Sequence, residues 1–149
     1  MQPLKFVSVT SENLSEFKHL HECIFPTTFP RQFYKEAEAP KQLGLYQIAF
    51  IEAKSVGVLS VGQLKDSLYI YSLGCRVFNR RRKIGSHLLE NALEFARNQN
   101  IGKISLHVQE GNEAALEFYQ KHGFNVIERV PGYYRRLQPS DGFLLSKAL

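Results

Sequence analysis

Apolar residues recur at two different spacings along the chain, and the switches between them mark out its elements. Leu4 to Val9 reads as a strand, and Thr10-Ser11-Glu12-Asn13 then supplies helix-capping residues before a stretch carrying Leu14, Phe17, Leu20 and Ile24. That spacing of three and four places one apolar stripe on a helix. The helix is expected to stop at Phe25-Pro26, because proline disfavours helical geometry in the residue before it. A short second helix is expected from Arg31 to Ala39, ended by Pro40. Three apolar runs follow, Leu45 to Ile51, Val56 to Val61 and Ser67 to Leu73, separated by the polar pieces EAKS and GQLKD. Runs of this length with short connections predict an antiparallel meander.

Helical spacing returns from Ile84 to Gln99, with Ile84, Leu88, Leu89, Ala92, Leu93 and Ala96 on one face, until Gly102 breaks it. Lys103 to Val108 is then a strand, Glu113 to His122 a helix closed by Gly123, Phe124 to Val130 a strand, and Phe143 to Leu149 a last one. The order predicts an α/β fold, a mixed central sheet of about seven strands flanked by about four helices, with parallel pairing where strands and helices alternate in the second half.

Composition narrows the class. Of 149 residues, 44% are hydrophobic and 22% charged, so the chain is an ordinary globular one and neither disordered nor fibrous. No linker, low-complexity tract or repeat divides it, and residues 1–149 read as a single domain. The two cysteines, Cys23 and Cys75, have neither CxxC nor paired Cys/His spacing, so neither a metal site nor a disulfide framework is expected. No apolar run reaches membrane-spanning length, and the first residues, MQPLKFVSV, lack a basic region followed by a long apolar stretch. The expectation is a cytoplasmic protein with no membrane partner. The formal charge of +5 is uneven: 7 basic and 7 acidic residues stand up to Cys75, 12 and 7 beyond it. Such asymmetry suggests an anionic partner for the second half, whether nucleic acid, a phosphorylated cofactor or an acidic protein.

The strongest local signal lies in that half. Leu73-Gly74-Cys75 ends a predicted strand, Arg80-Arg81-Arg82-Lys83 is a basic turn, and Ile84-Gly85-Ser86 opens a helix. A helix N-terminus offers unpaired N–H groups and partial positive charge, and glycine lets a bulky anion approach the backbone, so the segment suits a phosphate. The basic run alone reads equally as a solvated surface or a localisation signal, which leaves a nuclear location open. With Asn112-Glu113-Ala114-Ala115-Leu116-Glu117-Phe118-Tyr119-Gln120-Lys121-His122-Gly123-Phe124 following, the chain resembles the GCN5-related N-acetyltransferase (GNAT) superfamily.

Further motifs spread over nearly the whole chain: Ile24-Phe25-Pro26, Phe33-Tyr34, Leu68-Tyr69-Ile70, Leu106-His107-Val108-Gln109, and Tyr133-Tyr134 followed by Pro139. These are similar to the catalytic subunit of N-terminal acetyltransferase E (NatE). The resemblance implies acetyl-CoA as acetyl donor without a metal, nascent or free protein N-termini with retained methionine as acceptors, and association with the ribosome-bound NatA complex. It implies that Leu73, Cys75 and residues Arg80, Arg81, Arg82, Lys83, Ile84, Gly85 and Ser86 hold the cofactor, with Asn112 and Tyr119 along its pantetheine and thioester end. It assigns the catalytic pair to Tyr69 and His107. Substrate contacts fall to two aromatic loops, with Phe25, Pro26, Thr27 and Phe29 in one and Tyr133 and Tyr134 in the other, and to Tyr71.

The residues themselves agree with such chemistry. An α-amine of pKa near 8 must lose a proton before attacking a thioester, and Tyr69 and His107, each inside a predicted strand, are the candidate bases, joined by an ordered water. Taken singly, each also fits core packing. The other histidines, His19, His21, His87 and His122, fall on predicted helices and read as surface or boundary residues. Three positions depart from the family pattern. Lys83 stands where a glycine is usual in the pyrophosphate turn, Phe29 lacks the usual tyrosine hydroxyl, and Tyr71 replaces a common methionine. A binding role within a larger assembly, acetylation of internal lysine, and nucleic-acid binding by the basic half are the alternatives.

Overall fold

The computed structural model describes residues 3–76 and 83–149. Its elements run β1 (Leu4–Ser8), α1 (Leu14–Ile24), α2 (Arg31–Glu38), β2 (Gly44–Ile51), β3 (Lys54–Leu64), β4 (Ser67–Cys75), α3 (Ile84–Asn98), β5 (Lys103–Gln109), α4 (Glu113–Lys121), β6 (Asn125–Val130) and β7 (Gly142–Ala148). The seven strands form a sheet in the order β1-β2-β3-β4-β5-β7-β6. Two compact units are distinguishable, Met1–Gln63 with Ile70–Phe95, and Leu64–Tyr69 with Ala96–Leu149.

In the first unit, Phe17 and Leu20 on the α1 stripe are fully buried with Val9, Tyr34, Ala37, Tyr46, Ile48 and Val58. α1 stops at Ile24 and Phe25 turns extended, as Pro26 requires. The expected capping by the Thr10–Asn13 segment is corrected: no side chain caps α1. Asn13 instead donates from Nδ2 to the Ser8 carbonyl at 3.0 Å and accepts the Thr10 amide at Oδ1 at 2.8 Å. The residue that suits a cap here fastens the end of β1 to the turn, the local competition open to any Asn side chain. The meander strands extend into the polar pieces between them, leaving only Glu52-Ala53 and Lys65-Asp66 as turns. Glu52 and Lys65 take positive φ, which tight two-residue connections demand. The six apolar residues of the α3 stripe are all buried.

In the second unit the expected parallel pairing is confined to one place. Leu68 and Tyr69 of β4 run parallel to Ile104 and Ser105 of β5. β7 pairs antiparallel with both β5 and β6, so β6 never meets β5. The long connection of residues 131–141 lets β7 fold back between them, which alternation of strands and helices along the sequence does not reveal. α4 ends at the predicted glycine. Gly123 has φ +91°, and a Cβ there would collide with the Lys147 ammonium, which donates to the His122 carbonyl at 2.8 Å.

Candidate active site

Within the second unit, β4 and β5 bring the two candidate bases together. Tyr69 lies opposite Ser105, and His107 follows two residues along β5, on the same side as Ser105. Leu106 and Val108 on either side of His107 are buried, which fixes the strand and leaves the imidazole partly open. The Tyr69 hydroxyl stands 2.5 Å from His107 Nδ1. The expected bridging water is therefore corrected to a direct and short hydrogen bond. Burial pushes the His107 pKa below its usual value, opposed in part by the charge of Glu128. The ring is thus neutral near pH 7, and with its proton on Nε2 it accepts the Tyr69 O–H at Nδ1.

Tyr133 joins this pair. Its ring stacks on His107 with centroids 3.8 Å apart and planes 9° from parallel, and its hydroxyl lies 3.2 Å from that of Tyr69. With the Tyr69 O–H directed at His107, the Tyr133 hydroxyl is the donor to the Tyr69 oxygen. The loop that carries Tyr133 is tied at several points. Asp141 accepts the Gly132 amide at 2.8 Å and pairs with Arg129, which also meets Glu110 at 3.1 Å. The Tyr134 amide donates to the Ser140 carbonyl at 2.7 Å, and Gln109 Nε2 to the Pro139 carbonyl at 2.8 Å. Sequence reasoning placed Tyr133 among substrate contacts and missed both its stack on His107 and its Asp141 and Arg129 anchor. No spacing in the chain signals either.

Also in this unit, Asn112 caps α4, accepting the Ala115 amide at 3.2 Å. Tyr119, on α4, is buried against Phe118 and Phe124, and its burial pushes its pKa up.

The remaining predicted residues lie in the first unit, apart from Arg80, Arg81 and Arg82, which fall outside the described residues. Leu73 and Cys75 are half-buried at the end of β4, and the Arg76 amide that follows donates to the Val56 carbonyl at 2.8 Å. Lys83, exposed just before α3, has φ +58°. Ile84, Gly85 and Ser86 form the first turn of α3, whose amides lack acceptors within the helix and suit a phosphate. Phe25 and Phe29 meet edge-on at 5.8 Å after α1 and both rest on His21, with Pro26 exposed and Thr27 half-buried between them. Tyr71 is 40% exposed and meets Phe33 edge-on at 6.2 Å.

His21 corrects the expectation of a surface histidine. It is 1% exposed, donates from Nδ1 to the Phe17 carbonyl at 2.8 Å, and meets Ser72 Oγ at 2.8 Å with Nε2. Ser60 Oγ stands 2.7 Å from Ser72, extending the chain. Burial lowers the His21 pKa to about 4. The spacing held the signal, since position 21 falls four after Phe17 and three before Ile24, on the apolar stripe.

A model of the acetyltransferase (GNAT) family matches residues 14–124. N-alpha-acetyltransferase 50 of Danio rerio is 36% identical over 146 residues, covering 95% of this chain and 86% of its own length. Probable N-acetyltransferase san of Drosophila melanogaster is 33% identical, covering 95% and 78%. Among solved structures, Arabidopsis thaliana Naa50 in complex with the bisubstrate analogue CoA-Ac-MVNAL superposes with a TM-score of 0.88 at 30% identity, over 98% of this chain and 99% of that one.

Proposed function

The chain belongs to the GNAT acetyltransferase family, with the NatE-type enzymes, and from that premise we propose that it transfers acetyl from acetyl-CoA to the free α-amine of proteins that retain methionine before an apolar or permissive residue. The observation that carries the reading is the Tyr69 hydroxyl on His107 Nδ1 at 2.5 Å, beneath Tyr133. Tyr69 takes the amine proton through a water and passes its own to His107. The amine nitrogen then attacks the thioester carbon, the C–S bond breaks, and as the amide forms the nitrogen releases its second proton, which balances the one taken up by the departing thiolate. Backbone N–H groups near Leu73 and Cys75 polarise the carbonyl. Tyr119, kept protonated by burial, donates to the departing thiolate. The first turn of α3 and the basic residues before it hold the pyrophosphate, and Asn112 the pantetheine arm. Phe25, Pro26, Thr27, Phe29, Tyr71, Tyr133 and Tyr134 hold the peptide. The resemblance also motivates a place in the NatA assembly, in the cytoplasm.

Labelled acetyl-CoA offered to a Met-Leu peptide, beside the same peptide with a blocked N-terminus and an internal lysine, tests the proposal. Transfer is expected to the free N-terminus alone. Tyr69→Phe and His107→Gln should each lower kcat by about 10²-fold or more. The rate should fall as pH drops below neutrality and His107 gains a proton. Transfer only to lysine, or to neither peptide, would overturn it. Lys83, standing where the resemblance implies a glycine of the cofactor turn, favours a second reading, a weakly active or inactive binding subunit of the ribosome-associated NatA assembly.

A further inference from the structure

The first unit contains a cavity of about 440 Å³ between α2, β2, β3 and β4. Four aromatic rings line it, Phe29, Phe33, Tyr46 and Tyr71, together with the Glu36 carboxylate and three glutamines, and among the described residues no cationic side chain does. Phe33 is the hub of the rings, 4.7 Å from Phe29, 6.4 Å from Tyr46 and 6.2 Å from Tyr71, the latter two edge-on. Glu36 is fixed in place, since Oε2 accepts the Lys41 amide at 2.9 Å and the Gln42 amide at 3.1 Å. Both donors are neutral, and no cation of the described residues pairs with this carboxylate. Aromatic faces and a carboxylate together favour one ligand chemistry, a cation on an apolar stem: the rings take the stem and the charge, and the carboxylate completes the pair. A volume of this size lies in the range that encloses a side chain or small ligand.

We propose that this cavity is a subsite for a basic side chain of the acetylated protein, at a residue downstream of its first. The inference rests on the acetyl-transfer reading, because Phe29 and Tyr71, two of its peptide residues, are also walls of the cavity. The first residue is not the occupant, since in that reading it is methionine, whose side chain carries no cation. The subsite thus adds a selection that methionine and its neighbour do not supply.

The test is an arginine scan. Met-Leu heptapeptides with alanine at positions three to seven are compared with versions in which one arginine, one glutamate or one leucine moves through those positions. Arginine is used because it binds as a cation without offering an acceptor amine. At one position arginine should raise kcat/KM about tenfold over alanine, mainly through KM, and glutamate should lower it. Glu36→Gln, whose amide oxygen still accepts the Lys41 and Gln42 amides, should erase the arginine advantage. A flat scan with an active enzyme overturns the subsite alone. Leucine matching arginine at the responsive position overturns its cationic character. Equilibrium binding of the same fluorescent peptides, read without turnover, separates this from failure of the acetyl-transfer reading. If no peptide is acetylated, tighter arginine binding that Glu36→Gln removes still supports the subsite, and equal binding overturns it.

Discussion

Lys83 holds a left-handed backbone with φ +58° immediately before α3, at the position where the family resemblance implies a glycine. An L-residue pays about 1–2 kcal/mol for that conformation, and glycine would remove the strain. Glycine also loosens the unfolded chain, which costs about 0.4–1 kcal/mol in the opposite sense. The terms nearly cancel, so Lys83→Gly should shift stability by less than about 1 kcal/mol, or about 2–4 °C in Tm. The lysine side chain is exposed, and the backbone amide has the same direction in either residue. Acetyl-CoA affinity is therefore expected to stay within about threefold by calorimetric titration. A gain of tenfold or more would mean that the side chain crowds the pyrophosphate, and would favour the binding-subunit reading. Sequence marked Lys83 as a departure but could not show its φ, because a backbone dihedral is set by the turn and not by residue type. The contact between Tyr69 and His107 was legible only as a pair of candidates. Their direct bond depends on the β4 and β5 register, which no local spacing encodes.

At the scale of an element, α1 shows how a legible pattern hides a polar member. Its stripe of Phe17, Leu20 and Ile24 follows from spacing, yet His21 on the same stripe is buried and tied to Ser72 of β4. The groups facing His21, namely the Ser72 and Ser60 hydroxyls and the rings of Phe17, Phe25, Phe29, Phe33 and Tyr34, carry no charge in acid. Nothing there compensates an imidazolium. The pKa is lowered from 6.5 to about 4 in the fold, so between those values the unfolded chain binds a proton that the folded one refuses. The stabilisation is complete above pH 6.5 and is lost as pH falls toward 4. At about 1.4 kcal/mol per unit the whole loss is about 3 kcal/mol. Denaturant unfolding at pH 7 and pH 4.5 should show this loss in the wild type and a smaller one in His21→Gln, other carboxylates cancelling in the comparison. Equal pH slopes would sink the assignment. The long stripe of α3, Pro26 after α1 and Gly123 after α4 were legible because each acts through local sterics. The cap of α1 was not, since Asn13 chose partners in β1.

At the scale of the whole molecule, element order and sheet composition were readable, while the insertion of β7 between β5 and β6 was not. Pairing of distant strands is decided by how a long loop returns, and residues 131–141 carry no signal of their path. Charge is a property of this scale as well. The net +5 arises entirely beyond Cys75, where 12 basic residues face 7 acidic ones. A field of this sign draws a phosphate-bearing donor toward the protein, and salt screens it over about 10 Å at 0.1 M. Acetyl-CoA should accordingly bind about three- to tenfold more weakly at 200 mM than at 50 mM salt, with kcat unchanged, because the screened charges guide the phosphates while the proposed Tyr69 and His107 pair acts on the acceptor amine. Nucleic-acid binding predicts a much steeper decline and competition between oligonucleotide and acetyl-CoA. Titration of acetyl-CoA at both salt concentrations, with and without a single-stranded oligonucleotide, distinguishes them. A shallow slope with no displacement assigns the basic half to the acetyl donor, and a slope of zero would leave its charge without a part in donor capture.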